Sequence, residues 1–420
     1  MTAQGPGLEG SLGERLGLLR LRNFRRVFLA QSVSVFGDGI TPVALTFAVL
    51  ELTGSGTDLG LVLAAQVLPL AGLALVGGVW ADRLRREKVM IASDLVRAAV
   101  QATAAALLLS GTARIWQLAI LAALHGAAEA FFRPAAGALL PQLVPARDLQ
   151  QANALMGMSD NFGWFVGPAV AGTLVALIGA GGAIAVDAAT FVISAAFLTS
   201  LRVPALVRSR PSQRFALELR DGWREVRSRT WLWVMLLRVC LVLCIVIAPF
   251  QVLGPLGLTE QGYTPLAWGW IMAAFSLGMI LGAAVALRYR PKRPMITVTF
   301  AGGTALLAPL ALALGFGPWT LAAVQAGRGV AVGVLVAVWN TALQTEVEEE
   351  ALGRIVAWDW MASLALWPVG LALAGPLAEW LGVTTTAWIS VGLGSVAAFW
   401  VLAVGDVWRM RSRVDAGPAA

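Results

Sequence analysis

Charged and metal-binding side chains are scarce in this chain of 420 residues. Only 13% of the residues are charged, and there are one histidine, His125, and two cysteines, Cys240 and Cys244. These are too few for a zinc site of the usual kinds. The two lysines, Lys88 and Lys292, lie outside any G-x-x-x-x-G-K sequence, which excludes a phosphate-binding loop of the ATPase type. We therefore expect no metal site, no cofactor and no enzymatic activity.

Apolar residues dominate instead. Hydrophobic residues make up 58% of the chain, and the mean hydropathy is +0.76. A helix of about 20 apolar residues crosses the hydrocarbon core of a bilayer, and runs of this length recur along the chain. They predict an all-α polytopic membrane protein with twelve transmembrane helices, at about 27–50, 59–79, 90–109, 115–132, 153–178, 183–201, 231–253, 266–287, 295–315, 318–343, 355–379 and 385–404.

Two of the breaks between these spans are short. The third and fourth spans are separated by Gly111 and Arg114, and the ninth and tenth by Gly315, Gly317 and Pro318. Glycine and proline interrupt helices, so we predict two helices at each place instead of one long helix.

The basic residues predict how the chain is oriented. Arginine and lysine near the ends of spans are retained on the cytoplasmic side. With twelve spans, 27 of the 31 basic residues fall on the side of the N-terminus, and only Arg114 falls in a loop on the other side. We expect a cell-membrane protein with both termini in the cytoplasm and no cleaved signal peptide. Nucleic acid is excluded as a partner, because the positive charge is spread over several loops.

The longest polar stretch divides the spans into two sets of six. The weak internal similarity of the two sets suggests a duplicated architecture, which is one of the designs used by transporters. It predicts a cytoplasmic N-terminal tail at 1–26, a first six-helix bundle at 27–201, a cytoplasmic linker at 202–229, a second six-helix bundle at 230–405 and a cytoplasmic C-terminal tail at 406–420.

Several motifs resemble those of a known family. GGVWADRLRREK (77–88) follows the second span, and GWFVGPAVAG (163–172) lies in the fifth. Together with the six-plus-six arrangement they resemble the major facilitator superfamily. FGDGITPVAL (36–45) and FFRPAAGALLPQLVPARDLQQANAL (131–155) resemble its enterobactin-exporter and macrolide-efflux branch. The resemblance covers residues 20–405 and implies two pseudo-symmetric bundles that carry a small solute by alternating access.

The loop after the second span is similar to the superfamily motif G-x-L-A-D-R-x-G-R-K. Gly78, Asp82, Arg83 and Arg86 match it, whereas Glu87 replaces the final lysine. In the family this aspartate lies near the end of a helix in the second half and helps to hold the cytoplasmic side shut. The other interpretation is that the charges only keep the loop in the cytoplasm.

The fifth span carries Gly163, Gly167, Pro168 and Gly172, similar to the G-x-x-x-G-P motif that the family associates with exporters and antiporters. Glycines one turn apart allow another helix to approach closely, and the proline bends the span. The eighth span has Gly278 and Gly282 at the same spacing. General packing of small residues is the alternative interpretation.

Charged or titratable side chains within spans are costly and are usually functional. Five of them lie in spans 1, 4, 7 and 10: Asp38 in span 1, His125 and Glu129 in span 4, Arg238 in span 7 and Arg328 in span 10. The resemblance implies that these four spans line the central cavity. We expect Asp38 to be the leading proton-coupling or cation-binding residue and Glu129 the second.

Local pairing provides a structural alternative for the same carboxylates. Asp38 could cap a break at Gly37 or pair permanently with Arg97. Asp94 lies three residues before Arg97 and Glu129 four residues before Arg133, and ion pairs form readily at both spacings on a helix.

The sequence leaves three functions open. The first is proton-coupled efflux of amphipathic small molecules of the drug, antibiotic or siderophore type. The second is an importer or facilitator on the same fold, and the third is a membrane receptor or scaffold that transports nothing. We expect the lipid bilayer, protons and a small-molecule substrate as partners of a monomeric protein.

Overall fold

Long apolar helices run through the whole described part of the chain. A computed structural model describes residues 16–201 and 215–410, with side chains from Gly17 onward except at 74–83, 146, 215–219 and 349–350. No strand occurs in these residues. The helices are α1 (Arg22–Thr53), α2 (Gly56–Arg83), α3 (Arg86–Leu109), α4 (Ile115–Leu139), α5 and α6 (the two arms of Leu149–Thr199), α7 (Thr230–Glu260), α8 (Pro265–Ala286), α9 (Pro294–Ala313), α10 (Pro318–Glu346), α11 (Ala351–Leu381) and α12 (Val383–Ala403).

The stretch Leu149–Thr199 is two spans and not one. Its 51 residues would form a helix of about 76 Å, more than twice the thickness of the hydrocarbon core. Gly179 interrupts it with φ 74° and ψ 168°, which gives α5 (149–178) and α6 (180–199). The described residues therefore contain the twelve predicted spans, and the all-α fold class is confirmed.

One end of the bundle is closed by six glycine turns. A glycine with positive φ lies between the helices of every odd–even pair: Gly54, Gly111, Gly179, Gly262, Gly315 and Gly382. Only glycine adopts this backbone region without a steric penalty, so each helix reverses within a few residues. The breaks predicted at Gly111 and Gly315 are confirmed. We call this the far end, and the opposite end, where loop 287–293 and helix Phe215–Ser228 lie, the basic end.

The predicted linker contains a helix. Residues Phe215–Ser228 are helical and pack on α11, where Trp223 lies 4.8 Å from Trp358 between ring centroids. Gly222 faces Arg354 and Trp358 closely enough that a side chain there would crowd both. This part of the linker is therefore docked on the bundle.

The glycines of the fifth span bring α5 against α1. A Cβ atom built on Gly167 would lie 2.7 Å from the Gly39 Cα, and one on Gly163 would lie 2.8 Å from the Val35 side chain. Gly172 instead faces Gly269 of α8. One part of the motif therefore packs α5 against α1. Gly172 packs the opposite side of α5 against α8, which belongs to the second set of six spans.

Close packing extends across both sets of six spans. Gly278 and Gly282 of α8 face α10 and not α5, since a Cβ on them would meet the Ala326 and Val330 carbonyl oxygens. Helices without large side chains between them gain dispersion contacts that lipid does not provide. The largest buried apolar cluster draws on both sets, with members such as Ile40, Leu59, Ala171, Leu253, Ile271 and Leu371.

The contact of α5 with α1 is tested by Gly167→Ala. The added methyl group would lie against backbone atoms of Gly39, and a backbone does not move aside as the end of a flexible side chain does. We expect a loss of about 1–3 kcal/mol in the free energy of unfolding, measured by denaturation in mixed micelles. Gly157→Ala, on the same helix with nothing within 4 Å of the new Cβ, is the matched control. Equal stability of the two variants would contradict the close packing.

Candidate functional site

Arg97 of α3 is the centre of a buried polar cluster. Its side chain is 0% exposed, and its guanidinium lies 2.5 Å from the Asp94 carboxylate and 3.2 Å from that of Asp38. The rings of Phe132 and Phe191 cover it, with centroids 4.4 and 4.3 Å from the Cζ atom. Helices α1, α3, α4 and α6 therefore meet at one cation. The predicted Asp38–Arg97 pair is present, and α1 continues through Gly37 without a break.

Asp187 of α6 is a second buried carboxylate. Its side chain accepts hydrogen bonds from the Thr41 hydroxyl at 2.5 Å and from the Gln101 amide at 2.6 Å. Ser194 of the same helix donates to Asp94 at 2.6 Å and so joins α6 to the Arg97 cluster. From its position near the end of a span we expect Asp187 to reach the membrane interface. That expectation is wrong, because Asp187 is 0% exposed.

Glu129 and Arg133 form the part of the cluster nearest to the second set of spans. The Arg133 guanidinium lies 2.6 Å from the Glu129 carboxylate, as their spacing predicts. Its Cζ atom also lies 6.0 Å from the ring centroid of Trp360 in α11. His125, one turn before Glu129, is 3% exposed and meets the Phe191 ring edge-on. Glu129 is therefore connected through Arg133 to a helix of the other set.

The cluster contains more carboxylates than cations. Among the described residues, Asp38, Asp94 and Glu129 pair with the guanidinium groups of Arg97 and Arg133, whereas Asp187 is bound by hydroxyl and amide donors. Uncompensated charge in a membrane interior costs several kcal/mol, so a proton on one carboxylate relieves the imbalance. Asp38 is the partly accessible carboxylate of the Arg97 pairs, with 14% of its side chain exposed against 0% for Asp94.

The buried arginines of the second set have neutral contacts. Arg328 donates to the Gln325 side-chain oxygen at 2.9 Å and lies over the Phe275 ring at 4.5 Å. Arg238 donates to the Thr299 and Ala398 carbonyl oxygens at 2.7 and 2.8 Å. The guanidinium of Arg238 thus lies between α9 and α12. From its span alone we expect this side chain to line the central cavity.

The loop motif is described only in part. The backbone of α2 runs to Arg83, but the side chains of Asp82 and Arg83, and the surroundings of Gly78, lie outside the described residues. Arg86 donates to the Ala138 carbonyl oxygen and so ties α3 to α4 within the first set of spans. A latch between Asp82 and the second set stays a prediction.

A clamp between the two sets of spans lies at the far end. The Glu379 carboxylate of α11 accepts hydrogen bonds from the Ser55 hydroxyl at 2.6 Å, the Thr57 hydroxyl at 2.7 Å and the Thr57 backbone N–H at 3.1 Å. These donors are at the start of α2, where a carboxylate is also favoured by the helix dipole. Gly375 faces the Gly56 backbone just below, so the two helices nearly touch.

The sequence of this membrane bundle matches a family model over most of its length. Residues 27–363 match the model of the Major Facilitator Superfamily. The chain belongs to the Major Facilitator Superfamily. It is therefore a membrane transporter of that superfamily, and the matched residues include the Arg97 cluster and Arg328 but not Glu379.

Relatives within the superfamily include efflux proteins. The multidrug efflux pump Tap of Mycolicibacterium fortuitum is 32% identical over 369 residues, which cover 83% of this chain and 88% of that protein. Macrolide efflux protein A of Streptococcus pyogenes is 27% identical over 86% of this chain and 90% of its own length. These similarities support the efflux branch that the motifs resemble.

Solved structures share the superfamily fold. The nucleoside transporter NupG superposes with a TM-score of 0.75 at 15% identity, covering 92% of this chain and 99% of that one. A bacterial homologue of the iron transporter ferroportin in an inward-facing state gives 0.70 at 16% identity, with the same coverage. At such identities the likeness concerns the fold alone.

Removing Arg97 tests whether it holds the cluster together. Arg97→Gln leaves the fully buried Asp94 without its cation, which costs about 3–5 kcal/mol in unfolding free energy. Chemical denaturation of the purified protein measures this loss. The double variant Asp94→Asn/Arg97→Gln should regain part of it, because the fully buried carboxylate is then neutral and the remaining unpaired one, Asp38, is partly exposed. A double variant no more stable than the single one would show that Arg97 acts through packing alone.

Glu379→Ala tests the far-end clamp. Without its three hydrogen bonds we expect the far end to open more often, which lengthens the distance between the turns at Thr112 and Phe316. Spin labels on cysteines introduced at these two positions, with Cys240 and Cys244 replaced by alanine, report that distance by electron resonance.

The control for the clamp is Glu260→Ala, which removes an exposed carboxylate near the far end of α7. The control should leave the distance distribution unchanged. If Glu379→Ala and Glu260→Ala give the same distribution, the clamp does not hold the two sets of spans together.

Proposed function

We propose that this transporter is a proton-coupled exporter of amphipathic small molecules that works by alternating access. The observation that carries the proposal is the Arg97 cluster, in which three carboxylates share two guanidinium groups and a fourth, Asp187, is bound by hydroxyl and amide donors, inside the membrane bundle. Two efflux proteins among the relatives support the direction of transport.

Asp38 is the proposed proton-binding residue. Its carboxylate contacts Arg97 at 3.2 Å but not as closely as Asp94, and part of it is accessible. Protonation would neutralise one of two carboxylates on the same cation, while Asp94 still compensates Arg97. A proton can therefore enter and leave at Asp38 without leaving a buried charge alone.

Glu129 is the proposed second proton-binding residue, because it connects the Arg97 cluster to a contact between the two sets of spans. Its partner Arg133 contacts Trp360 of α11. When Glu129 binds a proton, Arg133 loses its carboxylate partner and its contact with α11 changes. Protonation on one set of spans thus alters a contact with the other, as coupling to a conformational change requires.

The transport cycle would alternate the closure of the two ends. In this structure the far end is held by Glu379 on the start of α2 and by the glycine contacts of α5 with α8. We place the basic end and both termini in the cytoplasm of a cell-membrane protein that works as a monomer. The Asp82 and Arg83 loop would then close the cytoplasmic end when the far end opens.

Proton coupling provides enough free energy for efflux. Each charge that moves through 100 mV supplies about 2.3 kcal/mol, which supports a concentration ratio of about 50-fold. One proton per substrate is therefore sufficient for useful export.

Import or facilitated diffusion is the second candidate, because the same fold serves both directions. Arg328 stays a candidate substrate contact in either case, since its guanidinium and the Phe275 ring form a polar and aromatic surface on α10 and α8.

Asp38→Asn tests the coupling role. Everted membrane vesicles are given an imposed pH gradient and a panel of lipophilic compounds. One pH unit supports about a tenfold accumulation per proton, and we expect the variant to fall to equal concentrations inside and outside. Exchange of labelled for unlabelled compound across the membrane should persist, since an asparagine side chain has nearly the shape of the aspartate that it replaces. Asp221→Asn, which removes an exposed carboxylate of the linker helix, is the control.

Gradient-driven accumulation by Asp38→Asn at the wild-type level would contradict the coupling role. Faster entry into intact cells that express the protein, with no accumulation in everted vesicles, would favour the importer.

A further inference from the structure

Two adjoining cavities form a groove on the side of the second set of spans, at its basic end. One of about 430 Å³ is lined by apolar side chains that include Val285 of α8, Phe300 of α9 and Val334 of α10. The other, of about 310 Å³, lies nearer the loop and includes Arg290, Thr341 and Thr345 in its wall. Tyr289 lines both, so the apolar part continues into the polar part.

The polar part of the groove is positively charged. Loop 288–293 reads RYRPKR and carries four cations, Arg288, Arg290, Lys292 and Arg293, all exposed. None of the four forms an ion pair with a residue that the structure describes, and Arg293 lies over the ring of Trp408. The wall itself contains one cation, Arg290, and one carboxylate, Glu346, and the other three cations belong to the loop beside it.

The dimensions fit one leaflet of a bilayer. Along α10 the groove runs from Ala331 to Thr345, a rise of about 21 Å. Half of a bilayer with its headgroups measures about 20–22 Å. Val285 and Phe300 are 51% and 54% exposed, so the apolar wall faces outward, where acyl chains lie.

We propose that this groove is a binding site for an anionic phospholipid. The phosphate lies at Arg290 with the other cations of the loop around it, and Tyr289, Thr341 and Thr345 line the wall beside the headgroup. One acyl chain lies between α8, α9 and α10 against Ile296, Phe300 and Val334. Basic pockets between helices at a membrane surface select anionic headgroups in this way. The site does not depend on the direction or coupling of transport.

The experiment measures binding of phosphatidylglycerol to the purified full-length protein by native mass spectrometry. Phosphatidylethanolamine is the competing lipid, and inorganic phosphate is a separate competitor. We expect preferential retention of phosphatidylglycerol, and about fivefold weaker binding in Arg290→Gln. Arg224→Gln, an exposed arginine on the linker helix, should change nothing. Ala331→Trp fills the apolar part and should abolish retention, whereas Ala323→Trp, on the exposed face of the same helix, should not.

Other outcomes overturn the proposal. Equal retention of the two lipids, or unchanged binding in Arg290→Gln, would exclude selective binding of an anionic lipid at this groove. Displacement of the lipid by inorganic phosphate would show an anion site and not a lipid site. Cross-links through the groove between two copies of the chain would assign it to self-association. If Ala331→Trp does not fold, Ala331→Leu makes the same test with a smaller side chain.

Discussion

The first six spans depend on a cation that water does not reach. Arg97 is surrounded within the bundle by Asp94 of its own helix and by Asp38, Phe132 and Phe191 from three other helices. This arrangement fixes the rotation of α1 about its own axis. With Asp38 turned to Arg97, the neighbouring Gly39 faces α5 and allows its close approach. The same helix α5 contacts α8 through Gly172. The pairing of Asp38 with Arg97 therefore contributes to the position of the helix that joins the two sets of spans.

The two sets of spans differ in how they compensate buried charge. In the first set, Arg97 and Arg133 face carboxylates, whose charge changes when a proton binds. Arg238 and Arg328 in the second set face carbonyl and amide oxygens, whose charge does not change. In the proposed cycle a change of protonation therefore acts mainly on the first set, and it reaches the second through shared contacts such as Arg133 with Trp360.

The sequence predicted the features that local spacing controls. Hydropathy located the spans, glycine and arginine located the breaks, and spacings of three and four residues anticipated the pairs of Arg97 with Asp94 and of Arg133 with Glu129. The contact of Arg97 with Asp38, 59 residues away in sequence, remained one alternative among others.

Features that depend on the rotation and depth of a helix were not predictable. Asp187 and Glu379 occupy comparable places near the ends of spans, yet one is buried under Thr41 and Gln101 and the other clamps the start of α2. Arg238 was assigned to the correct span, but its side chain faces α9 and α12. Hydrophobic periodicity is weak in a helix that is apolar on all sides, so the sequence carries little information on which face meets a neighbour.

The six glycine turns have a consequence for how the protein is made. Each odd–even pair of helices is a hairpin whose connection is a few residues long, and in the orientation that the arginines predict, these connections are nearly all of the polar chain that has to pass through the bilayer. The hairpin, and not the single helix, is then the natural unit of insertion. The short glycine turns also leave few loop residues at the far end, so epitopes, tags and inserted domains are better tolerated at the basic end.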